Sequence, residues 1–397
     1  MRIVVVGGAG MMGRIALRDL VASAAVDEVL IAELDAAQAE QVTAAIDSAK
    51  LRVVTVDATD EPALAAVLRD ADVCLNATVY YTNLPIMRAC LAARTHYLDL
   101  GGLFHTTRRQ LELDQPFRAA GITAIVGMGS APGVTNLQAR LACDRLERVE
   151  SIRIYDGIYN PQISADDPLT WGYSIQTILD EVSQNPIVFR DGDWQTVAPL
   201  SELEHFAYRA PLGYAANHHS LHSEVATLPI SFRDKGVREV FFKINFFGYP
   251  EPMLRKIAFL CGLGFAAREP IAMRGGQVAP RDALLAVLAQ RPPMPPASPE
   301  QLAASYKDMS VEVSGARDGQ PVRVRVDVES WAKPEWGVSG GNLVTGVAPS
   351  IVAQWLADGT ISERGVLPPE IGVPARPFFK ALEQRGIRTT LGETRPI

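Results

Sequence analysis

Over the first third of the chain, short runs dominated by apolar residues alternate with stretches of helical spacing. Residues 3–6 form an unbroken run, Ile-Val-Val-Val, and 28–32, 51–56, 71–77, 96–98 and 122–126 have strand length and character. An unbroken run of that size fits a strand buried on both faces, as in a parallel sheet. Helical spacing lies between the runs, at about 11–24, 38–48, 61–69, 84–93 and 108–120. This alternation predicts a doubly wound α/β domain of the Rossmann type. The pattern breaks at Gly127-Met128-Gly129-Ser130-Ala131-Pro132-Gly133, and a helix is expected over 135–145. Strands then read at 151–159, 187–190, 239–246, 308–313 and 322–330, with fewer helices, at 174–182 and 255–260. That predicts an α+β domain with an antiparallel or mixed sheet. The Pro-rich 291–298 stretch reads as a surface loop. Helices at 345–357 and 377–385 are too few for a third domain and are expected to return to the first. The predicted division is 1–130, 131–342 and 343–397.

The first strand runs into Gly7-Gly8-Ala9-Gly10-Met11-Met12-Gly13 and then a helix. Strand, glycine turn and helix are the context of a dinucleotide-binding fingerprint. Gly8 is expected to make the turn, Gly10 to let backbone approach a pyrophosphate, and Gly13 to let helix and strand pack closely. The helix start at Met11 and Met12 offers free N–H groups to the phosphates. Glu33, twenty residues after Gly13, stands where an acid holds the ribose hydroxyls, with Asp35 close behind. An acid there repels a 2′-phosphate, and no Arg or Lys immediately follows, which favours NAD over NADP. Asp57, at another strand end, reaches the adenine edge or serves its own loop.

The chain has 397 residues, 48% hydrophobic and 21% charged, with a net charge of −7. No basic run suggests nucleic acid, and no apolar stretch is long enough to span a bilayer. Four scattered cysteines without a CxxC pair fit reduced thiols and a cytoplasmic protein. No signal peptide is read, since residues 4–6 are already committed to a strand.

Ligands of open α/β sheets bind outside the carboxyl ends of the strands. Ala77, Thr78, Tyr80 and Tyr81 follow the fourth strand and are placed against the nicotinamide half of the cofactor. Asp99 ends the fifth strand beside Gly101 and Gly102, with His105 shortly after. Asp99 is either a catalytic or substrate-holding acid or a loop-stabilising carboxylate. His105 is a further candidate or an ordinary loop residue. The 217–224 segment, Asn-His-His-Ser-Leu-His-Ser-Glu, holds three of the six histidines. It reads as a substrate-binding segment, with Ser223 and Glu224 gripping a polar or cationic group, or as a polar surface loop. A metal site is the weakest alternative: His218 and His222 would share a face only in a helix, and no HExxH is present. Ser174, after Trp171-Gly172-Tyr173, either starts a helix or points at a carboxylate. Arg190 has Asp191 and Asp193 beside it as internal partners.

Together GGAGMMG, IAELD, YLDLGG, GSAPGVTN, the HSE of His222 to Glu224, VTGVAPS and ISERGVLPPE resemble the saccharopine dehydrogenase family, nearest its lysine 6-dehydrogenase-like members. The resemblance implies a Rossmann domain completed by the C-terminal segment, an inserted α+β catalytic domain, a homodimer, and oxidation or reduction at a C–N bond of an amino acid or opine. On this reading Asp99, His105 or His222 moves the proton. Glu224 binds a distal ammonium and Ser174 a carboxylate. Oxidative deamination through an imine is the first expectation. The second is an opine-type reductase joining an amine and a keto acid, and the third a non-catalytic NAD-sensing subunit.

Overall fold

The computed structural model describes residues 1–163, 174–291 and 296–395. Six strands open the chain: β1 (Arg2–Val6), β2 (Glu28–Glu33), β3 (Leu51–Thr55), β4 (Val73–Asn76), β5 (His96–Asp99) and β6 (Thr123–Ile125). The middle of the chain adds β7 (Arg148–Tyr159), β8 (Ile187–Arg190), β9 (Asp193–Thr196), β10 (Glu204–Ala207), β11 (Tyr214–His219) and β12 (Glu239–Ile244). It also adds β13 (Ile271–Met273), β14 (Gly276–Val278), β15 (Tyr306–Arg317) and β16 (Gln320–Trp331), and the tail supplies β17 (Gly365–Leu367) and β18 (Arg388–Thr394).

The first sheet is parallel, in the order β3-β2-β1-β4-β5-β6-β17. Chain order reverses between β1 and β4, and a crevice forms there at the strand tips. Helix Met11–Ala22 lays Ile15, Ala16, Leu17 and Leu20 on the sheet. Helix Gly340–Ala357 packs on that helix so closely that a Cβ on Gly346 would lie 2.5 Å from Ile15 Cβ. Buried Asp19 then ties the tail down, accepting from Ser350 Oγ at 2.6 Å and from Arg385 Nε at 2.7 Å.

The second sheet is mixed, in the order β10-β11-β12-β7-β15-β16-β18, with β8 also paired to β12 and β9 to β8. β12 and β7 run parallel while β7, β15 and β16 are antiparallel. Met309 and Val328 on its inner face join the core of the first sheet, so the two sheets share packed surface. β13 and β14 form a separate hairpin.

Several expectations about the elements change, and the helix expected over 108–120 is two, Leu103–Leu111 and Asp114–Ala120. The tail, read as helices only, gives one strand to each sheet. Arg190 pairs with Glu202 at 2.8 Å rather than with Asp191 or Asp193. Residue 218 lies in β11, so His218 and His222 have no helical spacing. Trp171, Gly172 and Tyr173, and residues 292–295 of the Pro-rich loop, lie outside the described residues.

Candidate active site

The glycine loop follows β1 at the crevice. Gly7, not Gly8, carries the turn: its φ of 75° lies in the left-handed region. Gly8 is needed for packing, since a Cβ there would meet Ile31 Cγ2 at 2.9 Å. A Cβ on Gly13 would sit 2.4 Å from Gly7 O and 2.7 Å from Gly8 Cα, so the close helix–strand approach is real. A Cβ on Gly10 would meet only Gly7 O, at 3.2 Å, leaving an open side. Gly10 is also the N-cap of the helix and gives it no side-chain cap, so the N–H groups around Met11, Met12 and Gly13 face the crevice with a positive dipole end. Glu33 Oε2 accepts from Ala9 N at 3.1 Å, which fixes the carboxylate at the rim of the loop. Open glycine edge, uncapped helix start and rim carboxylate fit the pyrophosphate and adenosine ribose of a dinucleotide. Asp35 instead caps the next helix by accepting from Gln38 N. Asp57 turns onto Thr59 N and Oγ1, at 2.8 and 2.7 Å.

Across the crevice, Ala77 N bonds Val6 O and Thr78 Cγ2 lies 2.7 Å from the place of a Gly7 Cβ. Asn76 Oδ1 accepts from Thr78 N and Oγ1, and its Nδ2 donates to Asn83 Oδ1 and Tyr97 Oη. This network holds the short turn that presents Tyr80 and Tyr81. Tyr80 Oη donates to Asp180 Oδ2 at 2.9 Å, and Tyr81 Oη to Gln176 Oε1 at 3.0 Å. Both partners belong to helix Ile175–Ser183 of the second domain.

Asp99 is buried, and all its acceptor capacity is used. Oδ1 accepts from Gly101 N and Gly127 N, and Oδ2 from Tyr97 Oη and Gln110 Nε2, at 2.5 to 2.9 Å. Burial raises its pKa while the four donors pull it back. The geometry is that of a carboxylate stabilising the loops after β5 and β6, the second of the two sequence readings. His105 is exposed on helix Leu103–Leu111. Ser174 caps its own helix, accepting from Thr177 N at 3.4 Å.

The residues that converge beneath the strand tips are His222, Ser223 and Glu224. Ser223 Oγ accepts from Gly102 N at 3.3 Å and donates to Leu103 O at 3.2 Å, pinning the segment under the β5 loop. Glu224 is fully buried: Oε1 accepts from Thr135 Oγ1 at 2.7 Å and Oε2 lies 2.6 Å from His222 Nδ1. His222 Nε2 lies 3.8 Å from Glu181 Oε1, and the ring stacks on Phe242 at 3.7 Å. Burial opposes charging this imidazole. The Glu224 carboxylate, then Glu181 and Asp156, outweigh it and leave the pKa raised. Sequence reasoning missed the partners. Asp156 and Lys307 form a buried pair at 2.9 Å, Lys307 also reaches Ser130 Oγ at 3.0 Å, and Asp156 Oδ1 has no partner among the described residues. Glu370 of the tail accepts from Asn136 Nδ2 and Ser231 Oγ, both at 2.8 Å, so the loop, helix and tail motifs meet at one place. Among the described residues no group of three His, Cys, Asp or Glu is arranged to hold a metal ion, and no helix is long and apolar enough to cross a membrane.

The chain matches the model of the saccharopine dehydrogenase NADP binding domain over residues 3–125 and that of the saccharopine dehydrogenase C-terminal domain over 129–387. It is 24% identical to a carboxyaminopropylagmatine dehydrogenase of a Synechocystis species, over 97% of this chain and 96% of that protein. It is 24% identical to a carboxynorspermidine synthase of Vibrio cholerae, over 69% of this chain and 66% of that one. Among solved structures, apo saccharopine dehydrogenase (L-Glu forming) from Saccharomyces cerevisiae superposes with a TM-score of 0.72 at 18% identity, covering 99% of both chains. A homospermidine synthase from Legionella pneumophila in complex with NAD gives 0.63 at 11% identity, over 100% of this chain and 91% of that one. At these identities the structural likeness speaks for the fold alone.

Proposed function

Because the chain belongs to the saccharopine dehydrogenase family, we propose that it is a nicotinamide-dependent oxidoreductase that joins an amine to a carboxyl-bearing aldehyde. It thus makes, or in reverse cleaves, the C–N bond of a carboxyalkyl amine. This is the second of the two enzyme readings with one change: an aldehyde that bears a carboxyl group takes the place of the keto acid. The observation that carries it is His222, buried between the carboxylates of Glu224 and Glu181, which raise its pKa. Two carboxylates on one imidazole suit a cationic di- or polyamine better than a single amino group. The names of the relatives, with their agmatine and norspermidine parts, support the same substrate class.

In the joining direction an ammonium must lose a proton before its nitrogen attacks the aldehyde carbon. Neutral His222 takes that proton through Nε2, with Glu224 holding the ring by Nδ1. The raised pKa keeps the imidazolium available to return the proton to the hydroxyl of the carbinolamine. The C–O bond breaks, water leaves and an iminium remains. A bound reduced nicotinamide supplies the hydride that converts the iminium carbon to the methylene of the secondary amine. Glu33 on the adenosine ribose sets the preference for NAD over NADP. The dimer and the cytoplasmic setting belong to the same proposal, and light scattering on the eluted protein tests the dimer.

The test is NADH consumption with agmatine or a diamine plus an amino-acid ω-aldehyde, with the product identified by mass. A secondary amine is expected. NADH formation with matching ammonia from L-lysine would instead support the oxidative deamination reading. Intact NADH binding with no turnover on any amine would overturn both and leave the sensing subunit.

A further inference from the structure

The cluster around Asp180 contains one carboxylate and two guanidiniums. Arg281 fully engages Asp180: Nη2 to Oδ1 at 2.5 Å, Nη1 to Oδ2 at 3.1 Å, with Nε on Ala266 O at 2.8 Å. Both side chains of that pair are buried. Arg268 reaches the same Asp180 Oδ2 at 3.1 Å through Nη2, which also donates to Tyr80 Oη at 3.1 Å. The Asp180 charge is already balanced by Arg281, so Arg268 remains as a cation in excess. Its side chain is 40% exposed, and Nε and Nη1 have no hydrogen-bond partner among the described residues. Asp180 is the one carboxylate paired with it among those residues; neighbouring Glu269 makes no ion pair.

The guanidinium also lies against two aromatic rings. It lies 4.4 Å from the ring centre of Tyr81 and 5.5 Å from that of Tyr80. Those rings stand on the turn after β4, at the carboxyl end of the parallel sheet. The next residue on the helix, Glu181, faces His222. Because Asp180 holds Arg268 and its neighbour Glu181 faces His222, one helix, Ile175–Ser183, links the guanidinium to the acid–base group. The N–H groups left on Nε and Nη1 can each donate a single charge-assisted hydrogen bond to a carboxylate.

We propose that Arg268 recognises the carboxylate of the aldehyde partner and so selects amino-acid aldehydes over plain aminoaldehydes. This rests on the reaction proposed above. A purely structural role, as a latch between the Tyr80 turn and helix Ile175–Ser183, makes a different prediction, since a latch does not sense the substrate's carboxylate.

The experiment compares kcat/KM for an amino-acid ω-aldehyde and for the same aldehyde without its carboxylate, in wild type, Arg268→Met and Arg268→Lys, with one diamine throughout. Arg268→Met should lose about 10- to 100-fold on the carboxylated aldehyde, the scale of one charge-assisted hydrogen bond. It should lose less than about fivefold on the decarboxylated one, with Arg268→Lys between. Equal losses on both aldehydes, or no loss, overturn the assignment while leaving the reaction intact. A readout free of turnover is the thermal midpoint of the NADH-loaded protein with a carboxyalkyl-diamine product. A shift in wild type that Arg268→Met abolishes supports the assignment, and no shift in wild type overturns it. Absence of turnover on any amine–aldehyde pair with NADH binding retained overturns the reaction itself, and the midpoint still reports on Arg268.

Discussion

Asp99→Asn separates a structural acid from a catalytic one. The four donors on Asp99 come from Gly101 N, Gly127 N, Tyr97 Oη and Gln110 Nε2. An asparagine can accept at one oxygen only. If that oxygen keeps the two backbone N–H groups, which cannot turn away, the new amide group faces two donors. Two hydrogen bonds to a charged acceptor are lost at about 1.5 to 3 kcal/mol each, so destabilisation of about 3 to 6 kcal/mol is expected. Part is recovered if the Gln110 amide flips, at the expense of its bond with Asn83 Nδ2. The loops after β5 and β6 should loosen first, because Gly101 and Gly127 lie in them. The assay pairs thermal and urea unfolding with kcat counted per folded molecule. A structural Asp99 gives a clear loss of stability and kcat within a few-fold of wild type. A general base gives the reverse, with kcat down by about 10² to 10⁴. Unchanged stability with a hundredfold fall in kcat would refute the loop-stabilising assignment.

Glu33→Ser should remove the repulsion of a 2′-phosphate and shift the NADPH-to-NADH ratio of kcat/KM toward NADPH by about tenfold or more (the scale of 1.4 kcal/mol); an unchanged ratio would take Glu33 out of cofactor choice. His222→Gln should lower kcat by about 10² or more and flatten the limb of the pH profile expected of wild type above the ordinary imidazole range; persistence of that limb would move the titration to another group. Asp308, buried with Oδ1 unpartnered and with Asp327 and Glu329 nearby, has its pKa lifted by burial to about 7. A raised carboxyl pKa means stability that is complete below pH 4 and lost as pH rises through 7. Asp308→Asn should therefore be more stable than wild type at pH 8, by up to about 4 kcal/mol, with the gap closing toward pH 4; a gap independent of pH between 4 and 8 would refute the shift.

What the sequence revealed and what it hid follow one physical line. The β1–glycine–helix unit was legible because its requirements are local. A strand buried on both faces needs an unbroken apolar run, and Gly13 is needed because the helix crosses Gly7 and Gly8 within van der Waals reach. Glu33 was legible because one βαβ unit sets its distance from the glycines. Even here the division of labour between Gly7 and Gly8 was not, since adjacent glycines look alike until a dihedral tells them apart. β17 has three residues and no period, and it is a strand because β6, paired Gly365 to Thr123 and Leu367 to Ile125, offers it an edge far upstream.

The acid–base and charge-recognising groups lie on the hidden side of that line, for a reason that bears on mechanism. Asp99 at a strand tip and His222 before a helix look equally suited to catalysis in sequence. Only the groups around them differ. Asp99 is met by donors alone and is spent on structure. His222 is met by acceptors alone, Glu224 and Glu181, which favour its charged form and leave Nε2 facing a carboxylate 3.8 Å away, too far for a hydrogen bond. Lys307 meets Asp156 only because the β7–β15 register sets Met309 opposite Asp156, which brings Lys307 alongside on the same face. Arg268 and Arg281 reach Asp180 from 88 and 101 residues away. In each case what decides the chemistry is the sign of the partners, and the partners are brought by sheet register and domain contact. The site is thus built where the second domain closes over the strand tips. Tyr80→Phe removes the hydroxyl that bonds both Asp180 Oδ2 and Arg268 Nη2, so it should lower kcat/KM on the carboxylated aldehyde while the dissociation constant of NADH stays unchanged.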